Sequence, residues 1–440
     1  MGESTTLCAT MLAVIAAAPL FDPDGASTGD LSPLERVAGL PLVLRTVLSL
    51  QKAGADRILV LLQEADPGPA ARVLTDPRVV VPTEVAPLAA DTSPWQQLAA
   101  QVAEPCLLTP LRLVADPEIY RRLLDPSLEG SSATVAVAEG RPIGPVQLGR
   151  APGDLATARE GDGPLLDRLA ADEGAALLDV ATLWSTSVDS PAGRARATHL
   201  LFEACRKSVD GAVSRHINRH VSLFLSKRLV HTPLSPNGAT IITFLVGVVA
   251  AWFVAQGGYL NTVIGATLFQ LNSILDGVDG ELARVRFQQS KLGQWLDTIG
   301  DDAALLLFYA ALAIGTRDLP HGLLWSTCAW IAAAATALSA LLYYTELARI
   351  GSGDLYAIEW DFDKKPPAGL RDRVVLLFRT ILKQDFFVFV IFCAAVLGVL
   401  HYALTVFATG GVITVIAAAA RRIQNARRGK PPTAATGSSR

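Results

Sequence analysis

The chain has 440 residues, 51% of them hydrophobic, and 38 Lys and Arg against 41 Asp and Glu give a formal net charge of −3. That length suits two or three domains. The near-balance of charge leaves nucleic-acid binding unsupported, because the basic residues cluster only beside apolar stretches, where a membrane surface accounts for them. The five cysteines (Cys8, Cys106, Cys205, Cys328, Cys393) show no CxxC and no metal-ligand spacing. Neither a disulfide framework nor a zinc site is suggested.

Residues 1–200 alternate short β-branched runs with helical patterns. The apolar run 11–18 is too short and too poorly flanked for a signal peptide and reads as a first strand. Further strands are expected at 57–62, 78–81, 105–108 and 133–137, with helices at 40–53 and 117–124 and a loop or excursion over 150–175. Such alternation predicts a parallel, doubly wound α/β sheet. A helix then begins near Ala192.

The run Val14-Ile15-Ala16-Ala17-Ala18, then Ser32-Pro33-Leu34-Glu35-Arg36-Val37-Ala38-Gly39-Leu40-Pro41-Leu42-Val43-Leu44-Arg45, continues through Gln51-Lys52-Ala53-Gly54. This region resembles the sugar-nucleotidyltransferase fold, in particular inositol-1-phosphate cytidylyltransferase domains, and the resemblance implies a Rossmann-like domain. Active members carry an Arg in a Gly-rich loop after the first strand and a Lys before the proline-leucine step, and such a loop cradles triphosphate. Here residues 19–30 contain Asp22, Asp24 and Asp30, no Arg or Lys, and two prolines. The aspartate expected after the 105–108 strand is replaced by Thr109-Pro110-Leu111. The expectation is a catalytically silent cytidylyltransferase-like domain over residues 1–200.

Within a juxtamembrane helix and linker over 201–236, segment 205–231 is basic, and Val213, Ile217, Val221, Phe224 and Leu225 recur at helical spacing. That pattern predicts an amphipathic juxtamembrane helix lying on an anionic membrane surface, or else a connecting helix with a solvated basic face. Pro236-Asn237 opens the first of about six membrane spans, at 239–256, 259–284, 291–315, 321–345, 385–401 and 402–420. The 346–384 connection, with Asp361, Asp363, Lys364 and Lys365, is too polar to cross lipid. Basic residues flank the membrane domain (237–425) at both ends. By the positive-inside rule this predicts a cytoplasmic soluble domain and two cytoplasmic termini. Residues 426–440 read as a disordered tail.

Four aspartates stand out inside this apolar half: Asp276, Asp279, Asp297 and Asp301. A carboxylate at the bilayer centre costs roughly 2.5 kcal/mol or more, so a cluster needs partners. The first pair is three residues apart and the second four apart, so each pair shares one face of its helix. A short turn at 286–290 lets the two helices pack antiparallel and bring the pairs together. Gly280, Ala283 and Gly293 are small where close approach is required. Four oxygen donors suit Mg²⁺ or Mn²⁺, and two such ions about 4 Å apart hold a diphosphate. Helix caps, or a polar transport pathway, are the plainer readings of isolated aspartates. Asp302 and Glu281, nearby, read as local polarity.

The whole pattern, D-x2-D-G-x2-A-R-x8-G-x3-D-x3-D, resembles the signature of the CDP-alcohol phosphotransferase family, over about residues 205–425. The resemblance implies metal ligation by Asp276, Asp279, Asp297 and Asp301, with Asp301 also the general base. It implies a CDP pocket at Gly280, Ala283, Arg284 and Gly293, joined by Asn237 and Thr240 of Pro236-Asn237-Gly238-Ala239-Thr240. Asn237 also reads as an ordinary helix N-cap. A phosphate-bearing acceptor would need cations, for which Lys227, Arg228, Arg286 and Lys383 are the available side chains. The expected activity is transfer of an inositol-type or phosphatidyl phospho-alcohol from a CDP-linked donor to a hydroxyl, releasing CMP, with a homodimer implied by the family alone. Two other readings remain: a membrane-anchored cytidylyltransferase, which would turn over CTP, and a transporter or scaffold, which would tolerate loss of Asp301.

Overall fold

A computed structural model describes residues 11–16, 21, 32–63, 66–89, 93–128, 130–155, 164–172, 174–206, 210–353, 355 and 384–427. The chain divides into two units, Met1–Leu201 and Phe202–Arg440.

The N-terminal unit is built on β1 (Leu12–Ala16), whose five residues are all buried. It is flanked in parallel by β4 (Arg57–Leu62) and β6 (Cys106–Pro110), in the register Leu12 to Arg57 and Leu12 to Cys106. A strand covered on both faces needs a continuous apolar run, which is what Leu12-Ala13-Val14-Ile15-Ala16 supplies. A hairpin, β2 (Arg36–Val37) and β3 (Leu40–Pro41), leads into α1 (Leu42–Ala53). Gly54, at φ 108°, closes this helix. Arg45 of α1 is buried and donates to the carbonyls of Val37 (2.9 Å) and Ala38 (3.2 Å), holding the hairpin. Burial, with Arg78 nearby, pulls its pKa down to about 9.

The sheet is completed by β5 (Thr83–Pro87), β8 (Ala133–Ala138), β9 (Arg141–Leu148) and β10 (Ala175–Asp179), in the order β10-β8-β9-β6-β1-β4-β5. A small β7 (Leu113–Ala115) pairs with β11 (Ser185–Ser187). Helices α2 (Gly68–Val73), α3 (Pro94–Gln101), α4 (Pro117–Leu123) and α5 (Leu165–Ala170) alternate with these strands.

Three expectations change. The sheet is mixed, because β9 runs antiparallel to both β6 and β8. The strand expected at 78–81 lies at 83–87 instead. Asp76 turns the chain by accepting from the Arg78 backbone N–H (3.0 Å) and pairing with its guanidinium (2.7 Å), and Val80 is left 76% exposed. Within 150–175, α5 is ordered by burying Leu165 and Leu169 in the core. The acidic loop at 22–30 and the preceding Pro19 and Leu20 lie outside the described residues. Thr109 is described, and its side chain is buried within β6, so no carboxylate ends that strand.

The unit boundary falls within α6 (Pro191–Glu203). Next come a single π turn (Ser214–Asn218) and α7 (Arg219–Leu229). Six helices follow among the described residues: α8 (Pro236–Ala255), α9 (Tyr259–Val285), α10 (Lys291–Gly315), α11 (Gly322–Ile350), α12 (Gln384–Val396) and α13 (Leu400–Arg427). Four of them, α8, α10, α11 and residues 400–420 of α13, are long and apolar enough to cross a membrane. The expected second span, α9, has the length but carries the charged motif, and α12 has 13 described residues. The helical unit is thus an integral membrane domain.

Helix α8 packs against both α9 and α10. Gly265 makes the first approach possible: a Cβ there would stand 2.4 Å from Val254 Cγ2 and 2.7 Å from the Ala250 carbonyl oxygen. Phe269 of α9 stacks on Phe308 of α10 at 4.1 Å between centroids, at the centre of the helical core. The cap of α8 is Ser235, which accepts from the Gly238 N–H, rather than Asn237. The polar 356–383 connection lies outside the described residues.

Candidate active site

Helix α9 ends at Val285, the chain turns through 286–290, and Ser290 caps α10 by accepting from the Gly293 N–H. This short return brings the two aspartate pairs together. Carboxylate oxygens of Asp276, Asp297 and Asp301 lie within 4.8 Å of one another. Asp279, 6% exposed, stands outside that triad and accepts from the Thr240 hydroxyl and the Gly280 N–H.

Close-set carboxylates away from water repel one another and lose hydration, so the arrangement calls for a compensating cation. Asp297 Oδ1 is buried and has no hydrogen-bond partner. An orphaned carboxylate oxygen beside two more oxygen donors fits a hard divalent ion.

All four aspartates line one cavity of about 670 Å³, as do Asn237, Thr240, Gly280, Ala283, Arg284 and Gly293. Gly280 leaves room for the Arg284 guanidinium, since a Cβ there would sit 3.1 Å from its Nη1. Arg284 Nε is buried without a partner, and the Cys205 thiol is hydrogen-bonded to the same side chain. Across the cavity, Asn237 Oδ1 would be 3.1 Å from a Cβ on Gly293, so this glycine keeps α8 and α10 close at the rim.

The cations read from sequence as phosphate binders are placed elsewhere. Arg286 donates to the carbonyls of Leu234 (2.6 Å), Leu229 (2.9 Å) and Thr232 (2.7 Å), fixing the loop before α8. Lys227 faces Glu203 at 4.0 Å, and Arg228 lies over the Phe224 ring at 3.6 Å. None of the three lines the cavity. Lys383 lies outside the described residues.

Three polar groups have partners that the sequence does not name, among them Glu281 and Asp302, read above as local polarity. Glu281, completely buried, is bound by Arg219, Ser222 and Ser226 of α7. Arg219 is also paired to Asp210. Burial alone would lower the Arg219 pKa, but ion pairing to Asp210 and Glu281 outweighs it and holds the guanidinium above its ordinary value. The helix thus turns Arg219, Ser222 and Ser226 inward, whereas Ile217, Val221 and Phe224 are exposed. A second group joins Gln270, Asn218 and Ser273. In the third, Tyr344 donates to Asp302 at 2.6 Å. A glutamate in a membrane helix signals a hidden partner, but nothing in the spacing names Arg219, 62 positions away.

Residues 234–407, within the helical unit, match the family described as CDP-alcohol phosphatidyltransferase. A protein named bifunctional IPC transferase and DIPP synthase from Aquifex aeolicus is 36% identical over 160 residues, covering 36% of this chain and 35% of the relative. A protein of the same name from Thermococcus kodakarensis is 40% identical over 136 residues, covering 31% and 30% respectively. The chain spans about a third of the length of these curated relatives. The solved inositol-1-phosphate CTP transferase from T. maritima aligns with a TM-score of 0.33 at 18% identity, over 43% of this chain and 95% of that one. At that score the likeness has no bearing on the assignment.

Proposed function

We propose that the protein is a divalent-metal-dependent integral membrane transferase that moves a phospho-alcohol from a CDP-linked donor to an acceptor hydroxyl, releasing CMP. The observation that carries this reading is the convergence of Asp276, Asp297 and Asp301 in a cavity that also holds Gly280, Ala283 and Arg284. The domain match over residues 234–407 supports it, as do the names of the Aquifex and Thermococcus relatives.

Asp276, Asp297 and Asp301 would hold Mg²⁺ or Mn²⁺, with Asp279 completing a site for two ions. Bound there, the metal supplies charge neutralisation for a diphosphate and polarises its phosphoryl oxygens. Arg284 pairs with a phosphate oxygen, and Gly280 and Ala283 let the nucleoside lie flat against α9. Asp301 accepts the proton of the acceptor hydroxyl as that oxygen attacks the β-phosphorus. The new O–P bond forms, the bond to the bridging oxygen breaks, and CMP leaves with the electron pair. The triad lies toward the end of α9 that meets α10. With basic residues at both ends of the unit, this supports a cytoplasm-facing site and cytoplasmic termini.

In the N-terminal unit, Thr109 is buried where an active cytidylyltransferase would present a carboxylate. We therefore read that unit as non-catalytic. The test uses the purified full-length protein in detergent with Mg²⁺ or Mn²⁺. CMP should be released only when a CDP-linked alcohol and a hydroxyl acceptor are both present, and CTP with inositol phosphate should yield no pyrophosphate. Pyrophosphate release without CMP would instead support the anchored cytidylyltransferase.

A further inference from the structure

Asp302 lines the same cavity as the four motif aspartates, yet the carboxylates that converge are those of Asp276, Asp297 and Asp301. Asp302 follows Asp301 in the chain and stands apart from that triad. Neighbouring residues on a helix point about 100° apart, so α10 presents two polar faces. Asp297 and Asp301 share one. Trp295, Thr298 and Asp302, at i, i+3 and i+7, share the other.

Tyr344 of α11 covers that second face. Its hydroxyl donates to Asp302 Oδ2 at 2.6 Å, with a longer contact to the Thr298 carbonyl at 3.4 Å. The ring stands edge-on to Trp295, with 5.8 Å between centroids. Thr298 in turn donates to the Gly353 carbonyl at 2.7 Å, and a Cβ on Gly353 would stand 2.7 Å from the Trp295 backbone nitrogen. The phenol thus sits in a closely packed corner between α10 and the end of α11. A short O–H···O⁻ bond of this kind belongs to the strong, charge-assisted class.

A carboxylate in a membrane cavity that collects cations needs a partner of its own, or it joins the cation. The number of oxygen donors decides which ion such a site takes. Ca²⁺ accepts about six to eight at flexible distances, whereas Mg²⁺ demands a compact octahedron and keeps several waters. A further converging carboxylate would add both charge and donors, and would favour Ca²⁺. Resting on the metal-dependent reading above, we propose that Tyr344 is a positioning residue that holds Asp302 out of the metal triad, and so biases the site toward Mg²⁺ or Mn²⁺ and against Ca²⁺.

The test measures binding of Mg²⁺, Mn²⁺ and Ca²⁺ to the full-length protein in detergent, by calorimetry and by the paramagnetic resonance of Mn²⁺, without substrate. Tyr344→Phe keeps the ring against Trp295 and removes only the donor. Its affinity for Ca²⁺ relative to Mg²⁺ should rise about tenfold. Tyr344→Leu, which also lacks the donor, should shift the ratio the same way. Adding Asp302→Asn to Tyr344→Phe removes the released carboxylate and should return the ratio to that of wild type. An unaltered ratio in Tyr344→Phe would overturn the proposal. So would a shift that persists in the double variant, because ring packing rather than Asp302 would then be its source. No divalent-ion binding by wild type would overturn the metal-dependent reading itself, and the role of Tyr344 with it.

Discussion

Glu281 and Arg219 form an ion pair at 2.8 Å in which the glutamate side chain has no exposed surface. Ser222 and Ser226 donate to the same carboxylate at 2.8 and 2.7 Å, and Asp210 engages the other side of the guanidinium at 2.9 and 3.0 Å. Glu281 lies two residues beyond Asp279 on the face of α9 turned toward α7. The pair therefore clamps the helix that carries the motif, and Gly277 is the space it needs: a Cβ there would meet Arg219 Nη1 at 3.1 Å and Ser222 Oγ at 3.2 Å.

Breaking one partner of a buried pair strands the other charge, at a cost of about 3–5 kcal/mol. Arg219→Met strands both Glu281 and Asp210, so it should lower the thermal unfolding midpoint in detergent more than Glu281→Leu, which leaves Arg219 paired to Asp210. Gly277→Ala should cost about 1–3 kcal/mol by overpacking. An Arg219→Met variant as stable as wild type would show that the pair is not a clamp.

Thr240 ties α8 to Asp279 through its hydroxyl. Thr240→Val keeps the shape and removes that donor, and a hydrogen bond to a charged group contributes about 1.5–3 kcal/mol. CMP release should fall roughly 10-fold or more in kcat/KM, with Thr240→Ser retaining most of it. Equal activity in Val and Ser variants would mean that Asp279 needs no such support.

Arg286 separates a structural from a substrate role. With three carbonyls around its guanidinium, Arg286→Ala leaves buried acceptors unsatisfied at about 1–3 kcal/mol each. A lowered unfolding midpoint with an unchanged acceptor KM is expected. A raised acceptor KM at unchanged stability would restore it as a phosphate binder.

The turn that displaced the expected strand makes a pH prediction. The hydrogen bond from the Arg78 side chain, opposed by burial, holds the Asp76 carboxyl below its ordinary value. A depressed carboxylate pKa contributes stability above the unfolded value and loses it as pH falls through the folded one. Amide exchange at residues 78–81 should therefore be slower in wild type than in Asp76→Asn at pH 6–7 (about two or more units above a free Asp, near 3.9). The gap should close in stronger acid. A gap that persists there would place the protection elsewhere.

Local chemistry made much of this molecule readable. The apolar run at 12–16, the Gly54 stop and the aspartate spacing each act within a few residues, so sequence discloses them. Strand β9 was hidden because Pro142, Gly144 and Pro145 interrupt its pattern, although its edges pair with β6 and β8. The inward polar face of α7 was hidden for another reason. Ile217, Val221 and Phe224 mark the apolar face, which is exposed, while the face that packs is specified by Glu281 far along the chain. The role of Arg286 was not legible because a free Arg and one bound by carbonyls look alike in sequence.

In the proposed reaction Asp301 performs the chemistry in a membrane site built on three converging carboxylates. Asp301→Asn keeps size and polarity but cannot accept the proton. With Mg²⁺, a CDP-linked donor and a hydroxyl acceptor, CMP release by this variant should fall by 10²-fold or more, while the unfolding midpoint stays at or above that of wild type. Turnover by Asp301→Asn at the wild-type rate would contradict the claim.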